Sequence, residues 1–201
     1  MGKYDFIKIK KKLSKYLDEA RFEHTMGVMY TCAALAMVYD YDLEDAQAAG
    51  LLHDSAKCIP NKKKLKLCSQ HDIPVSDFEK DHPFLLHAKL GAYVASCKYD
   101  IKDEEILTAI TYHTTGRPGM SLLEKIVYIS DYIEPMRDKA PNLAKVRKIA
   151  LFVSPQKREY RVEILWKIHW NIWRKIPRKS IVRPGMLMFI IKNSMTEKCR
   201  M

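Results

Sequence analysis

The amino-acid sequence predicts an all-α fold, and three observations carry that expectation. Apolar residues recur at helical spacing through most of the first 150 positions. No stretch alternates apolar with polar residues as a half-buried strand would. Capping residues stand ahead of apolar runs, with Asp42 before one run and Ser121 followed by Glu124, a capping box, before another.

The elements follow in order. "YDFIKIKKKLSKYL" places Phe6, Ile9, Leu13 and Leu17 in one stripe. "EARFEHTMGVMYTCAALAMVYD" is a longer apolar helix with His24 near its start, and "DLEDAQAAGLLHDSAK" opens at Asp42 and ends at an adjacent His-Asp pair. "NKKKLKLCSQHDI" is polar and basic and turns at Pro74; residues 61–66 read as a solvated basic face. "DFEKDHPFLLHAKLGAYVASCKY" restarts as a helix after Pro83, "DEEILTAITYHTTGRPG" is a helix ended by a Gly/Pro loop, and "SLLEKIVYISDYIEP" follows Ser121. One bundle is expected to run to about residue 150, with residues 151–201 as a separate tail.

Composition narrows the function classes. At 201 residues the chain is long enough for one domain with a substantial core, and 47% hydrophobic with 29% charged residues is a globular balance. No apolar run reaches the roughly 20 residues that span a bilayer, and the basic N-terminus has no apolar signal core. The five cysteines have no CxxC pairing and read as reduced thiols. A cytoplasmic protein is expected. The net charge of +11 suggests nucleic acid, but residues 1–150 hold 23 Lys and Arg against 21 Asp and Glu, while residues 151–201 hold 12 against 3. The basicity belongs to the tail, so no specific nucleic-acid or membrane partner is assigned to the domain.

Four histidines, His24, His53, His87 and His113, lie in apolar helices or at their ends, as do Asp54 and Asp131. Any one of them alone is best read as a hydrogen-bonded core residue. Six together are harder to bury, because an unpartnered carboxylate or imidazole costs several kcal/mol, and a shared divalent metal would satisfy them all. Imidazole and carboxylate donors suit iron, manganese, zinc or cobalt. Neighbouring helix positions point about 100° apart, so His53 and Asp54 serve one site only if the helix ends there or meets the site edge-on. Lys57, one turn on, then either faces the same opening or is solvated. His71 and His82 fall in polar segments and are expected to be exposed; His169 belongs to the tail.

A histidine on one helix, an adjacent His-Asp pair on the next and a distal aspartate resemble the HD-domain phosphohydrolase superfamily. "HDSAK", "HAKLGAYVA", "YHTTGRPGM" and "EKIVYISDYIEPMRD", in that order, resemble the bacterial HD-domain hydrolases that cleave diadenosine tetraphosphate symmetrically into two ADP. The likeness runs from about residue 15 to 148. It implies an HD-domain helical bundle, a homodimer, and a divalent metal, iron in a di-iron centre by the family pattern, with manganese or cobalt as alternatives. It implies His24, His53, Asp54 and Asp131 as metal ligands. Asp54, Lys57, His87 and His113 take catalytic roles, with His87 and His113 at either a second metal or the phosphates. Arg21, Lys57, Thr114 and Arg137 would face the phosphates of a dinucleoside polyphosphate.

The chemistry stands on its own terms. Hydrolysing a phosphoanhydride needs an activated water and neutralised phosphoryl oxygens, and metals supply both. Arg21, Arg117 and Arg137 can clamp phosphate bidentately. The "HTTGRPG" loop offers backbone N–H groups near His113, although the same residues also make a plain interhelical turn. Two rivals remain: an HD-domain phosphohydrolase of another nucleotide, and a non-catalytic module that binds nucleic acid or membrane through the basic tail.

The tail departs from the family. It holds Trp166, Trp170 and Trp173, three glutamates and no aspartate. Residues 169–190, "HWNIWRKIPRKSIVRPGMLMFI", can be encoded so that another frame of the same nucleotides reads "TLEYLEKNPKEIDSKTRDAYVY". That alternative is acidic and amphipathic and resembles the expected family ending. A frameshift of one or two nucleotides near codon 150 is therefore expected.

Overall fold

The computed structural model describes residues 2–151. In those residues the chain forms α1 (Phe6–Leu13), α2 (Glu19–Tyr39), α3 (Leu43–Leu52), α4 (Asn61–Gln70), α5 (Asp77–Asp81), α6 (Leu86–Tyr99), α7 (Glu104–Tyr112), α8 (Leu122–Ile133) and α9 (Leu143–Leu151). A 3₁₀ turn, Pro83–Leu85, leads into α6. No strand occurs among the described residues. The fold is all-α, as the periodicity predicts. The expectations about the tail lie outside the described residues.

Six of the helices start where a short polar side chain can accept from the first free N–H groups. Asp5, Asp18, Asp42, Ser76, Asp103 and Ser121 all do so. Ser76 with Glu79 and Ser121 with Glu124 close full capping boxes. Asp40 and Asp100 end α2 and α6 in the left-handed region, a conformation short polar side chains tolerate. The first stripe ends sooner than it reads: α1 stops at Leu13, and Leu17 reaches the core through a turn.

Long α2 is the spine, packing on α3, α8 and α9, while α7 sits between α6 and α8. Leu35, Leu51, Leu52, Leu90, Ile106 and Ile110 are wholly buried between them. The α2–α3 contact is close because Gly50 carries no side chain; a Cβ there would stand 2.7 Å from Cys32 Sγ and 3.1 Å from Met29 Cα. This approach brings the end of α3 against the start of α2.

Polar residues inside the bundle are mostly partnered. Lys89 Nζ donates to Glu79 Oε2 at 2.7 Å and to the Pro74 carbonyl at 2.8 Å. Within the basic run, Lys64 is buried and donates to Asn61 Oδ1, whereas Lys62, Lys63 and Lys66 are exposed. His71 and His82 are half-buried, not exposed, because each stacks on an aromatic ring, Tyr93 and Phe78 respectively. Cys32, Cys58 and Cys68 are free thiols, as expected. No described helix is long and apolar enough to cross a membrane.

Candidate metal centre

α3 ends at Leu52, with His53 as its C-cap, and the chain then tightens into three-residue turns: Ser55 N–H donates to the Leu52 carbonyl and Lys57 N–H to that of Asp54. The adjacent His-Asp pair therefore sits at a helix end, where both side chains can face one site. Both are buried, Asp54 at 2% exposure.

Three histidines share one local device. His53 Nδ1 lies 2.7 Å from the Gly50 carbonyl, His87 Nδ1 2.6 Å from that of Phe84, and His113 Nδ1 2.7 Å from that of Ile110. Each partner is three residues back, at the end of a helix or 3₁₀ turn where carbonyls lack intrahelical donors. A carbonyl can only accept, so Nδ1 carries the proton and Nε2 presents its lone pair.

Those Nε2 atoms converge on Asp54. Its Oδ1 is 3.2 Å from His87 Nε2 and 3.5 Å from His113 Nε2, and its Oδ2 is 3.5 Å from His53 Nε2 and 3.9 Å from His24 Nε2. His24 stands in the second turn of α2, its Nε2 3.2 Å from Asp131 Oδ1 in the last turn of α8. The rings of His24, His53, His113 and His87 meet edge to face in succession.

Cations ring the carboxylates. Arg21 Nη1 donates to Asp54 Oδ2 at 2.9 Å, and Lys57 Nζ lies 3.6 Å from Asp54 Oδ1 and 3.1 Å from His87 Nε2. Arg137, in the loop after α8, donates to the carbonyl and carboxylate of Asp131. Thr114 Oγ1 is 3.2 Å from His87 Nε2 and 3.0 Å from His113 Nε2. Arg117 is placed elsewhere: it forks onto buried Glu124 at 2.6 and 2.9 Å. The capping box that starts α8 holds Glu124, and Glu124 holds Arg117 away from the cluster.

Glu134 is a participant that the sequence reading missed. It is the C-cap of α8 and buried, with Oε1 3.1 Å from His24 Nδ1 and Oε2 accepting from the Met136 N–H. Gly27 makes room for it, since a Cβ there would meet Glu134 Oε2 at 2.7 Å. The available signal was the carboxylate three residues after Asp131, one turn along the same helix end.

The donor set suits a cation. His24 Nε2, His53 Nε2 and Asp54 Oδ1 are buried without a hydrogen-bond partner. Ligand atoms of His24, His53 and Asp131, and separately of His53, Asp54 and His113, lie within 4.8 Å of one another. His87 and His113 point Nε2 lone pairs at each other across 3.2 Å, which a positive species between them would relieve. Burial pushes the His87 imidazole down to about 4, so that lone pair is free at neutral pH. Burial opposes the charge on Asp54 too, yet the surrounding imidazoles prevail and hold it well below the usual carboxylate range. Asp131 is likewise lowered, with burial outweighed by His24 and then by His53 and His113. Burial opposes the charge on His53, but the Asp54 charge and hydrogen bond, with Asp131 and the Gly50 carbonyl, together outweigh it and raise the imidazole.

The HD-domain family model matches residues 21–136, which spans all of these residues except Arg137. The chain belongs to the HD-domain family. It is 41% identical to the symmetrical bis(5′-nucleosyl)-tetraphosphatase of Bacillus subtilis over 138 residues, 69% of this chain and 73% of that one. Its likeness to the enzyme of the same name from Halalkalibacterium halodurans is 43% over 132 residues, 66% of this chain and 70% of the relative. Among solved structures it resembles one described as a predicted HD superfamily hydrolase involved in NAD metabolism, from Clostridium acetobutylicum. That likeness has a TM-score of 0.74 at 36% identity and covers 97% of this chain and 98% of the other.

Proposed function

We propose that the protein is a metal-dependent hydrolase that cleaves diadenosine tetraphosphate symmetrically into two ADP. The observation that carries this reading is the convergence of imidazole Nε2 atoms on one buried carboxylate, with Arg21, Lys57 and Arg137 beside it. The curated relatives, named as symmetrical tetraphosphatases at 41% and 43% identity, support the substrate class.

His24, His53, Asp54 and Asp131 would hold the metal, with His87 and His113 at a second metal or at the phosphates. A divalent ion there supplies charge neutralisation and acidifies water for attack on phosphorus. The chain's own groups do the rest. Arg21 and Arg137 can turn their remaining donors to the phosphate oxygens, fixing the tetraphosphate against Asp54. Lys57 and Thr114 sit where a phosphoryl oxygen beside His87 would need donors. Lys57, within reach of Asp54 and His87, would donate to the departing ADP. A cavity of about 620 Å³ opens beside the cluster, lined by Arg21, His24 and Arg137 and by the carboxylates of Asp18, Glu19, Glu23, Glu134 and Asp138; it has the volume of one nucleoside diphosphate half, whose phosphates would have to meet the two arginines.

The same proposal takes the metal as iron, in a di-iron centre, and the protein as a cytoplasmic homodimer. Exposed Tyr30 and Met37 on α2 offer an apolar face for the second subunit. The test is metal analysis with product identification for the parent enzyme and Asp54→Ala. Two ADP from the parent, with loss of metal and activity in the variant, is the expected result. AMP plus ATP would rule out symmetrical cleavage, and an unimpaired variant would remove Asp54 from the site. Light scattering reads the subunit number.

A further inference from the structure

A second cavity, of about 350 Å³, opens on the other side of the segment that follows Asp54. Ser55 and Cys58 form its edge nearest the cluster. Tyr16 and Tyr99 supply aromatic walls, Ile59 an apolar one, and Lys63 and Lys98 the charge. Lys98 Nζ lies 4.4 Å from the centre of the Tyr16 ring, and Lys12 Nζ lies 5.1 Å from that of Tyr99. No acidic side chain is among the described residues lining it. The function outlined above makes no use of this cavity.

The two cavities adjoin at one contact. Asp18 borders the larger cavity beside the cluster, Cys58 borders the smaller one, and the Cys58 thiol donates to Asp18 Oδ2 at 3.2 Å. Arg21, three residues after Asp18, contacts Asp54; Cys58 is four residues after Asp54. The two hollows, one open and lined by charged side chains of both signs, the other aromatic and cationic, thus meet at the Asp18–Cys58 contact, one helical turn from the arginine that reaches Asp54.

A dinucleoside tetraphosphate cut at its midpoint must place one nucleoside on each side of the reacting phosphorus. The larger cavity serves one half. We propose that the smaller cavity is the subsite for the second nucleoside, its base lying against Tyr16 and Tyr99 and its inner phosphates meeting Lys63 and Lys98. Aromatic faces bind bases of any identity by stacking, and the two lysines attract the anionic bridge. The cavity accommodates a nucleoside, and Tyr16, 51% exposed, has surface to offer. This subsite rests on the dinucleoside reading of the active centre.

The test compares KM for diadenosine tetraphosphate with the inhibition constant of adenosine tetraphosphate, using the full-length, metal-loaded enzyme. Tyr16→Ala is expected to raise KM about tenfold with kcat held, the size of a lost base-stacking contact. It should raise the inhibition constant by less than about threefold, because a single nucleoside can use the other cavity. Tyr16→Phe keeps the ring and should keep the parent KM. Equal rises for both ligands, or an unmoved KM in Tyr16→Ala, would overturn the subsite alone. No cleavage of diadenosine tetraphosphate by the unaltered enzyme would overturn the reading beneath it.

Discussion

Glu134 Oε1 accepts the Nδ1 proton of His24 at 3.1 Å, from the opposite side of the ring to Asp131. A carboxylate behind a ligating imidazole fixes its tautomer and raises its basicity. Glu134→Gln keeps the shape and can still accept from His24, but it removes the charge. Metal affinity of the purified protein should fall about 10- to 100-fold, read by equilibrium dialysis against a competing chelator. An unchanged affinity would leave Glu134 as a packing residue only.

The arginines separate into two kinds. Arg21→Ala should raise KM for the nucleotide about tenfold, the loss of one charge-assisted contact, and Arg21→Lys should fall between. Arg117→Ala should act on stability instead, because it strands Glu124, a fully buried carboxylate, without its partner. The expected cost is about 3 kcal/mol, seen in thermal unfolding. A KM effect from Arg117→Ala without loss of stability would return that residue to the substrate.

Acid should weaken the metal-free protein within a defined window. Burial holds His87 down to about 4 when folded, against about 6.5 when unfolded. Between those values the unfolded chain binds the extra proton, so stability falls as pH drops from 6.5 towards 4 and then levels for this group. His53, raised in the folded state, contributes fully below 6.5 and loses its contribution only as pH rises. Asp54 and Asp131, both lowered, keep theirs until pH falls below the ordinary carboxylate range. Denaturant titrations in chelator should therefore show about 2–4 kcal/mol lost across the window. His87→Asn, which can still donate to the Phe84 carbonyl, should flatten it.

Gly50→Ala tests the close approach of α2 and α3. Alanine favours a helix by about 1 kcal/mol over glycine, but the new Cβ meets Cys32 Sγ and the Met29 backbone. Overpacking of this kind costs about 1–3 kcal/mol. A net loss in unfolding free energy is expected, together with weaker metal binding, because Gly50 also supplies the carbonyl that orients His53. A more stable variant would mean that α3 moves aside freely.

The nucleotide sequence tests the tail. Reading the genomic DNA near codon 150 should expose an open frame for "TLEYLEKNPKEIDSKTRDAYVY" across residues 169–190, and a chain carrying it should unfold at higher temperature than the present one. Absence of that frame would make the basic, tryptophan-containing tail a real part of the protein.

Helix content was legible where one buried face imposes its period on the sequence, as Ile9 and Leu13 do in α1; α3, buried on nearly every side from Asp45 to Leu52, was legible from its cap at Asp42 instead. The cluster was legible because histidines and aspartates are expensive among leucines. The pairing of Arg117 was not legible because charge alone does not reveal a partner: Glu124 advertised itself as a cap, and its second role, holding the arginine, depends on how the loop folds back. Glu134 was missed because a carboxylate at a helix end looks solvated until α2 packs over it. Lys64 looked solvent-facing because it belongs to a run of lysines, and only the packing of α4 picks one of them for burial.

The carbonyl anchors behind His53, His87 and His113 also bear on how the site tolerates genetic change. Every residue type has a main-chain oxygen, so no point mutation at Gly50, Phe84 or Ile110 can delete the acceptor. Drift at those three positions is limited by packing and local geometry, while the orientation of the imidazoles is inherited from the helix ends. His24 alone depends on a side chain for its anchor. A lineage in which the centre decays should lose Glu134 before it loses any of the other three supports.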